Sequence, residues 1–431
     1  MGLGKTVTAL EGAKQLNNSR VLIICPVTIK DVWVKHIEDW HPDCTYVVVK
    51  GNIDTRYAQI IHKANFIIMN YEQVAKHEDA LLFVRWSGFI LDEGHKLKNR
   101  KVKCFRVLSL LMKRNIDLFL FILTGTPIMN RPSEIWSLLH LIDGYKFRGY
   151  HAWTQEYLDM QPKYYGSNRW AKVEIGVKST KRFQEFMDKY LLRREKDEVL
   201  DLPEKIIQDV YVTLSGEQEQ VYRNMQENFY ANVCKGVGIS VPNIISQMIR
   251  LKQIANSQHI LYNTTDSIEG AKLDALIELL EDVGNQKVVI FSQFKEYIIR
   301  LRALLVNKKY STDLITGNTP LDNRRRIQER FQTKDDPQIL CMTTQLGMGI
   351  TLHKACIAIF LDQLWTPASN TQAEDRLHRI GQSNTVNIYR IQASDTIDIW
   401  IRNVLEQKQV MVDTTVISRT VTEAIQSGEL K

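Results

Sequence analysis

Gly2-Leu3-Gly4-Lys5-Thr6, continued by the helix-prone run from Val7 to Leu16, is the stretch on which the reading of the fold turns. Backbone amides at a glycine-rich helix start can cradle phosphate oxygens. A lysine in that place puts positive charge on the β and γ phosphates, and a threonine hydroxyl becomes a magnesium ligand. Gly2, Leu3, Gly4, Lys5 and Thr6 are therefore candidate phosphate-binding residues, with Thr6 a candidate metal ligand. A glycine turn that merely starts a helix fits the same string, so the downstream sequence has to decide.

About ninety residues on, the apolar run Phe89-Ile90-Leu91 leads straight into Asp92-Glu93-Gly94-His95. Two carboxylates then sit at the C-terminal end of a buried strand, where α/β sheets hold their ligands. Asp92 is expected to hold the magnesium, directly or through water, and Glu93 to orient and deprotonate an attacking water. His95 is a candidate link to the polymer side of the site. Leu123-Thr124-Gly125-Thr126-Pro127 again ends an apolar run, and the hydroxyls of Thr124 and Thr126 flanking Gly125 are coupling candidates, although the string is also a good turn. In the second half, Gln372-Ala373-Glu374-Asp375-Arg376-Leu377-His378-Arg379-Ile380-Gly381-Gln382 spaces Arg376 and Arg379 three apart, so one face of a helix or turn presents both. Guanidinium forks suit charge growing on a transferred phosphoryl group.

The bulk numbers agree with an enzyme of this kind. A chain of 431 residues exceeds what one core usually supports, so at least two domains are expected. With 44% hydrophobic and 24% charged residues, and no stretch near the roughly 20 apolar residues of a membrane span, membrane insertion is not expected. The start carries no basic-then-apolar export signal, which leads to an expectation of an intracellular protein. Six cysteines lie far apart, without zinc-ligand spacing, so no zinc is expected. Residues 1 to 200 hold 31 Lys and Arg against 22 Asp and Glu, whereas residues 201 to 431 hold 25 against 27, so the basic excess lies in the first half, as a polyanionic partner would favour.

Short β-branched runs separated by amphipathic stretches predict buried parallel strands at Val21 to Cys25, Tyr46 to Val49, Phe66 to Met69, Phe89 to Leu91 and Leu118 to Leu123. A second set follows at Val288 to Phe291, Leu314 to Ile315, Ile339 to Met342, Ile357 to Leu361 and Val386 to Ile391. The predicted fold class is α/β, with two P-loop-type lobes built on parallel sheets and helical insertions between them. The first lobe covers residues 1–200, with a helical insertion at about 144–190. The second covers 201–431, with a helical insertion at about 210–265, a core at about 270–405 and a tail.

Taken in order, these strings resemble the Swi/Snf branch of helicase superfamily two, in its compact bacterial- or phage-like form, over about residues 1 to 405. Val21 to Pro26 with Trp33 and Trp40, the acidic box with Lys98-Asn99, and Leu123 to Asn130 with Glu134 and Trp136 are similar to three of its motifs. Leu192-Arg193-Arg194-Glu195-Lys196 with Leu202-Pro203-Glu204-Lys205 resembles its lobe-joining signature. Phe291-Ser292-Gln293-Phe294, and Trp365 with Pro367, Gln372, Arg376 and His378 to Gln382, resemble two later motifs.

The resemblance implies two RecA-like lobes, ATP and Mg2+ as cofactors, and an ATPase stimulated by double-stranded DNA that tracks along the duplex to remodel or remove DNA-bound proteins. Lobe closure would bring Arg376 and Arg379 to phosphates made ready by Lys5, Asp92 and Glu93. By family position Gly349 and Gln372 join the ATP site and Gln382 the coupling set, while Asn70, Tyr71, Ser292, Gln293, Thr343 and Thr344 contact the DNA backbone. Cytoplasmic localisation is expected for a bacterial or phage protein, nuclear for a eukaryotic one. Three departures stand out. The acidic pair and adenine-contacting segment that precede the family's loop are not found before Met1, which implies weaker nucleotide binding or a reading frame that continues upstream. Gln345 to Leu352 replaces a small residue, a glycine and an asparagine of the fifth motif, the last by Thr351, which implies altered coupling. Thr366 stands where asparagine is common. A DNA-binding scaffold that does not turn ATP over and a strand-separating helicase are the competing readings.

Overall fold

Strands buried on both faces need apolar residues at every position, and the runs picked out above have them. In the computed structural model, which describes residues 3–16, 19–115, 118–128, 131–164, 170–194, 196–234, 241–261, 268–346 and 350–415, the first sheet comprises β1 (Val21–Ile24), β2 (Tyr46–Val48), β3 (Phe66–Met69), β4 (Gly88–Asp92) and β5 (Phe119–Leu123). They pair in the order β2-β3-β1-β4-β5, all parallel. Leu22 and Ile24 pack to one side with Ile67, Met69, Phe89 and Leu91; Val21 and Ile23 pack to the other with Phe66, Ile68 and Ile90. Burying each such side chain contributes about 1.5–3 kcal/mol relative to exposure. The helix Lys5–Leu16 covers the second face with Ala9, Leu10 and Ala13, one stripe of its surface.

Register then decides what lies along the carboxyl edge. Ile24 pairs with both Met69 and Leu91, and Asp92 with Leu123. Cys25, Asn70, Asp92 and Leu123 therefore lie in a row at the strand ends, with Thr124 one residue beyond.

Between the two sheets the chain departs from the expected run of helices. Residues 144–190 do contain helices at Tyr150–Tyr157 and Thr180–Met187, but an antiparallel hairpin, β6 (Leu158–Tyr164) and β7 (Trp170–Val177), lies between them. Leu158 is fully buried, and the half-buried Met160 and Val177 pack against the same core as Phe183 and Phe186, so the hairpin is seated by a few apolar contacts rather than by an alternating face.

The second compact unit runs from Leu200 to Gln407. Its strands are β8 (Lys205–Val212), β9 (Val288–Ser292), β10 (Thr312–Ile315), β11 (Ile339–Thr343), β12 (Ile357–Phe360) and β13 (Val386–Ala393), in the order β10-β11-β9-β12-β13-β8, again all parallel. β8 was not expected. It is an edge strand paired only to β13 and half-exposed throughout, so it lacks the continuous apolar run of a central strand. The helices Gly216–Cys234 and Val241–Asn256 follow it. Thr343 pairs with Ser292, and Phe360 with Phe291, which sets Ser292, Thr343 and the Leu361-Asp362 pair on one edge.

Candidate nucleotide and nucleic-acid sites

Gly4 adopts φ +71, a conformation side chains disfavour, and its carbonyl accepts the Thr8 N–H at 3.0 Å and the Thr8 hydroxyl at 3.2 Å. The helix thus starts at Lys5, and the first-turn amides, which have no intrahelical acceptor, face outward with the helix dipole behind them. Leu3, Lys5 and Thr6 are half-buried and Gly4 is exposed; Gly2 lies outside the described residues.

Asp92 closes β4 as a buried carboxylate. Its Oδ2 accepts from Trp33 Nε1 at 2.9 Å and its Oδ1 from the Glu93 N–H at 2.9 Å, while the Tyr71 hydroxyl donates to its main-chain carbonyl at 2.6 Å. Burial first, and then the charge of Glu93, push its pKa from 3.8 up to about 6; the two hydrogen bonds and the Lys5 ammonium pull the other way. Lys5 therefore lies near enough to Asp92 for its charge to be felt there. Glu93 sits in the left-handed region at φ 54, ψ 50, a strained turn worth roughly 1–3 kcal/mol. The next residue has to be glycine, because a Cβ on Gly94 would lie 2.3 Å from Ile122 Cγ2. The turn brings Glu93 Oε2 to 3.2 Å from His95 Nδ1, and the same ring nitrogen is 3.5 Å from Thr124 Oγ1, which in turn accepts the Thr126 N–H at 3.0 Å. His95 is buried; Thr124 and Thr126 are half-buried and Gly125 is exposed. Thus the structure brings together Lys5, Asp92, Glu93, His95, Thr124 and Thr126.

Among the described residues no cluster of three or more His, Cys, Asp or Glu side chains could hold a metal alone. The donors here are a carboxylate and the Thr6 hydroxyl, both hard oxygens. That set fits Mg2+, which keeps most of its shell as water and phosphate. Each Asp92 oxygen accepts one protein hydrogen bond and retains a lone pair.

In the second unit, Arg376 and Arg379 lie on the turn that follows the helix Pro367–Glu374 rather than on the helix. Glu374 anchors that helix, its buried carboxylate bridging Lys205 Nζ at 3.2 Å and Arg390 Nη2 at 2.7 Å. His378 Nε2 lies 2.8 Å from the Pro203 carbonyl. Arg379 is half-buried; burial pushes its pKa down from the usual arginine value, and its guanidinium donates to Thr351 Oγ1 at 2.8 Å. Gln372 is buried, and its Nε2 has no hydrogen-bond partner among the described residues. A buried donor is costly unless an acceptor meets it. Gly349 lies outside the described residues.

For two groups of the expected contact residues the structure shows what holds their side chains. Gln382 was placed in the coupling set, but its amide is fully used inside the unit: Nε2 donates to Ala355 O and Leu377 O, and Oε1 accepts the N–H groups of Ser383 and Asn384. It holds the turn. Of the six candidate DNA contacts, Asn70, Tyr71, Ser292, Thr343 and Thr344 are buried, and Gln293 is half-exposed. Asn70 caps a short helix with Gln73, and Tyr71 props the Asp92 carbonyl. Ser292 donates to Asp362 Oδ2 at 2.5 Å. Strand ends of parallel sheets begin helices, and the polar side chains there turn inward to satisfy first-turn amides.

Sequence reasoning also missed residues that hold the site. Trp33 entered only as part of a motif string. Lys272, fully buried, donates to Asn256 Oδ1 at 2.9 Å and Leu361 O at 2.7 Å and lies 2.6 Å from Asp398 Oδ2. Asn256 continues to Asp362 Oδ2 at 2.8 Å, and Asp362 Oδ1 accepts the Gln293 N–H at 2.9 Å. A buried ammonium thus fixes the Ser292-Gln293 loop through two intermediates.

Fold and site define a parallel α/β unit with a glycine-led helix start near an acidic box, followed by a second parallel α/β unit that carries an arginine turn. The chain belongs to the SNF2-related domain family, which matches residues 1–260, and the helicase conserved C-terminal domain family matches residues 271–381. It is 28% identical over 415 residues to the SWI/SNF-related matrix-associated actin-dependent regulator of chromatin subfamily A-like protein 1 homolog of Caenorhabditis elegans, covering 95% of this chain and 57% of that protein. It is also 28% identical over 435 residues to an uncharacterized ATP-dependent helicase of Mycoplasma genitalium (97% and 40%) and 28% over 458 residues to chromodomain-helicase-DNA-binding protein 1 of Gallus gallus (97% and 25%). The chain thus spans between a quarter and three fifths of these relatives. A solved Sulfolobus solfataricus SWI2/SNF2 ATPase core in complex with dsDNA is similar at a TM-score of 0.43 and 24% identity, covering 97% of this chain and 90% of that one. Among the described residues, no helix is long and apolar enough to cross a membrane.

Proposed function

We propose that this chain is a DNA-dependent ATPase that moves along double-stranded DNA and remodels or removes bound protein. The observation that carries the reading is the acidic box: a buried Asp92 under the influence of Lys5, beside a strained Glu93 whose carboxylate is 3.2 Å from His95. A general base works best when its carboxylate is held in place, and His95 beside Glu93, with Thr124 behind it, can do this. Lys5 and the first-turn amides bind the phosphates, and Asp92 with Thr6 would hold Mg2+, which supplies charge neutralisation when bound. Glu93 orients and deprotonates the water. Arg376 and Arg379 supply guanidinium charge to the phosphates as the bond to the leaving group breaks. Gln372 offers its buried amide to the nucleotide.

Duplex DNA is held through its phosphates, so binding weakens steeply with salt. The buried hydroxyls and amides along the carboxyl edge shape the backbone that meets the DNA, and Gln293 is the one of the six candidate side chains that is not fully buried. Membership of the SNF2-related family and the name of the chromodomain-helicase-DNA-binding relative support this partner. In a bacterial or phage-infected cell such an activity belongs in the cytoplasm, in a eukaryote in the nucleus. The test is displacement of a third strand from a triplex in the presence of ATP, set against opening of a forked duplex. Triplex displacement alone is expected; opening of the fork without it would make the chain a strand-separating helicase, and neither would overturn the motor reading.

A further inference from the structure

Thr351 occupies the position at which this chain departs from the family string, and its side chain meets the arginine turn. Three links join residues 350–355 to that turn. The Leu352 N–H donates to Arg376 O at 2.9 Å, Gln382 Nε2 donates to Ala355 O at 2.9 Å, and Arg379 Nη1 donates to Thr351 Oγ1 at 2.8 Å. The first two already dock the segments, helped by the burial of Ile350 and Leu352 on either side of Thr351. Gly381, at φ +95, lets the turn lie against the His353 ring, 3.5 Å from where a Cβ would stand. Docking therefore does not need the threonine hydroxyl. What that hydroxyl does is fix one end of a half-buried guanidinium.

We infer that Thr351 is the positioning residue for Arg379, accepting from one guanidinium nitrogen and so aiming the remaining donors at the phosphate charge. A long arginine side chain otherwise loses rotamer freedom at the moment of reaction. Thr351 is itself well placed to hold it, since a β-branched side chain has few rotamers and its backbone lies between two buried neighbours. The substitution at this position is then a change of acceptor rather than a loss of one. The inference rests on the role given to Arg379 in the proposed function.

The experiment compares DNA-stimulated ATPase kinetics of Thr351→Val, Thr351→Ser, Arg379→Ala and the Val/Ala double variant, each with its thermal unfolding midpoint. Valine keeps the shape and removes the acceptor. A hydrogen bond to a charged group is worth enough that kcat should fall about 10- to 100-fold, with KM for ATP within about two-fold. Thr351→Ser should restore most of kcat, and the double variant should be no slower than Arg379→Ala alone. If Arg379→Ala lowers kcat and Thr351→Val does not, the positioning inference falls and the function stands. A loss shared by Thr351→Ser, or matched by a lower unfolding midpoint, assigns Thr351 to packing and overturns the inference. An Arg379→Ala variant with unchanged kcat removes the reading beneath it as well.

Discussion

Trp33 Nε1 and Asp92 Oδ2, 59 residues apart in sequence, lie 2.9 Å from one another in the interior of the first unit. The indole is fully buried and the carboxylate nearly so. This hydrogen bond favours the ionised form of a group whose surroundings otherwise favour the neutral one.

Trp33→Phe should therefore move the acid limb of the kcat/KM profile. With Asp92 needed as a carboxylate, the wild-type limb is expected near pH 6, and loss of the donor should raise it by about one unit. The profile of kcat/KM for MgATP against pH is the measurement. A lower rate with an unmoved limb would show that Trp33 serves packing only.

The same carboxylate sets a stability slope. The folded pKa of Asp92 is raised from 3.8 to about 6, so between those values the folded chain keeps a proton that the unfolded chain has released. Stability contributed by this group is therefore lost as pH rises from about 4 to about 6, and stays lost above. Asp92→Asn should raise the unfolding free energy of the ligand-free chain at pH 7.5 by about 1–3 kcal/mol, and by less at pH 5. A gain that does not change with pH would refute the assignment.

Lys272→Met should destabilise the second unit by roughly 3–5 kcal/mol, because it leaves the buried carboxylate of Asp398 without its cation. Asp398→Asn introduced on top should recover part of that loss, a coupling that urea unfolding of the four variants measures. Additive losses would mean the pair does not act as a unit.

The two-sheet fold was legible because strands such as Val21–Ile24 and Val288–Ser292 are covered on both faces and read as unbroken apolar runs. Lys205–Val212 escaped because an edge strand needs only part of its surface apolar, and the hairpin at 158–177 because Leu158 and its few apolar neighbours seat it without a regular pattern. At the site, Lys5, Asp92, Glu93 and His95 were recognisable since their chemistry depends on local spacing. Side-chain partners were not. Nothing linear says that the Tyr71 hydroxyl reaches the carbonyl of Asp92, or that Lys272 reaches Asp398; those pairings are set by which strands and helices meet. The same holds for the residues placed on the DNA by family position: five of the six, Asn70, Tyr71, Ser292, Thr343 and Thr344, have buried side chains whose surroundings no linear pattern announces.

The account rests on Lys5 and Glu93 serving one phosphate-cleaving site that answers to duplex DNA. Phosphate release by the wild type, Lys5→Ala and Glu93→Gln, each with and without linear duplex DNA, tests this most directly. Wild-type release should rise at least about ten-fold with DNA, and both variants should lose at least about a thousand-fold of the stimulated rate while still binding DNA. Equal, negligible release by the wild type in both conditions, or turnover retained by both variants, would contradict it.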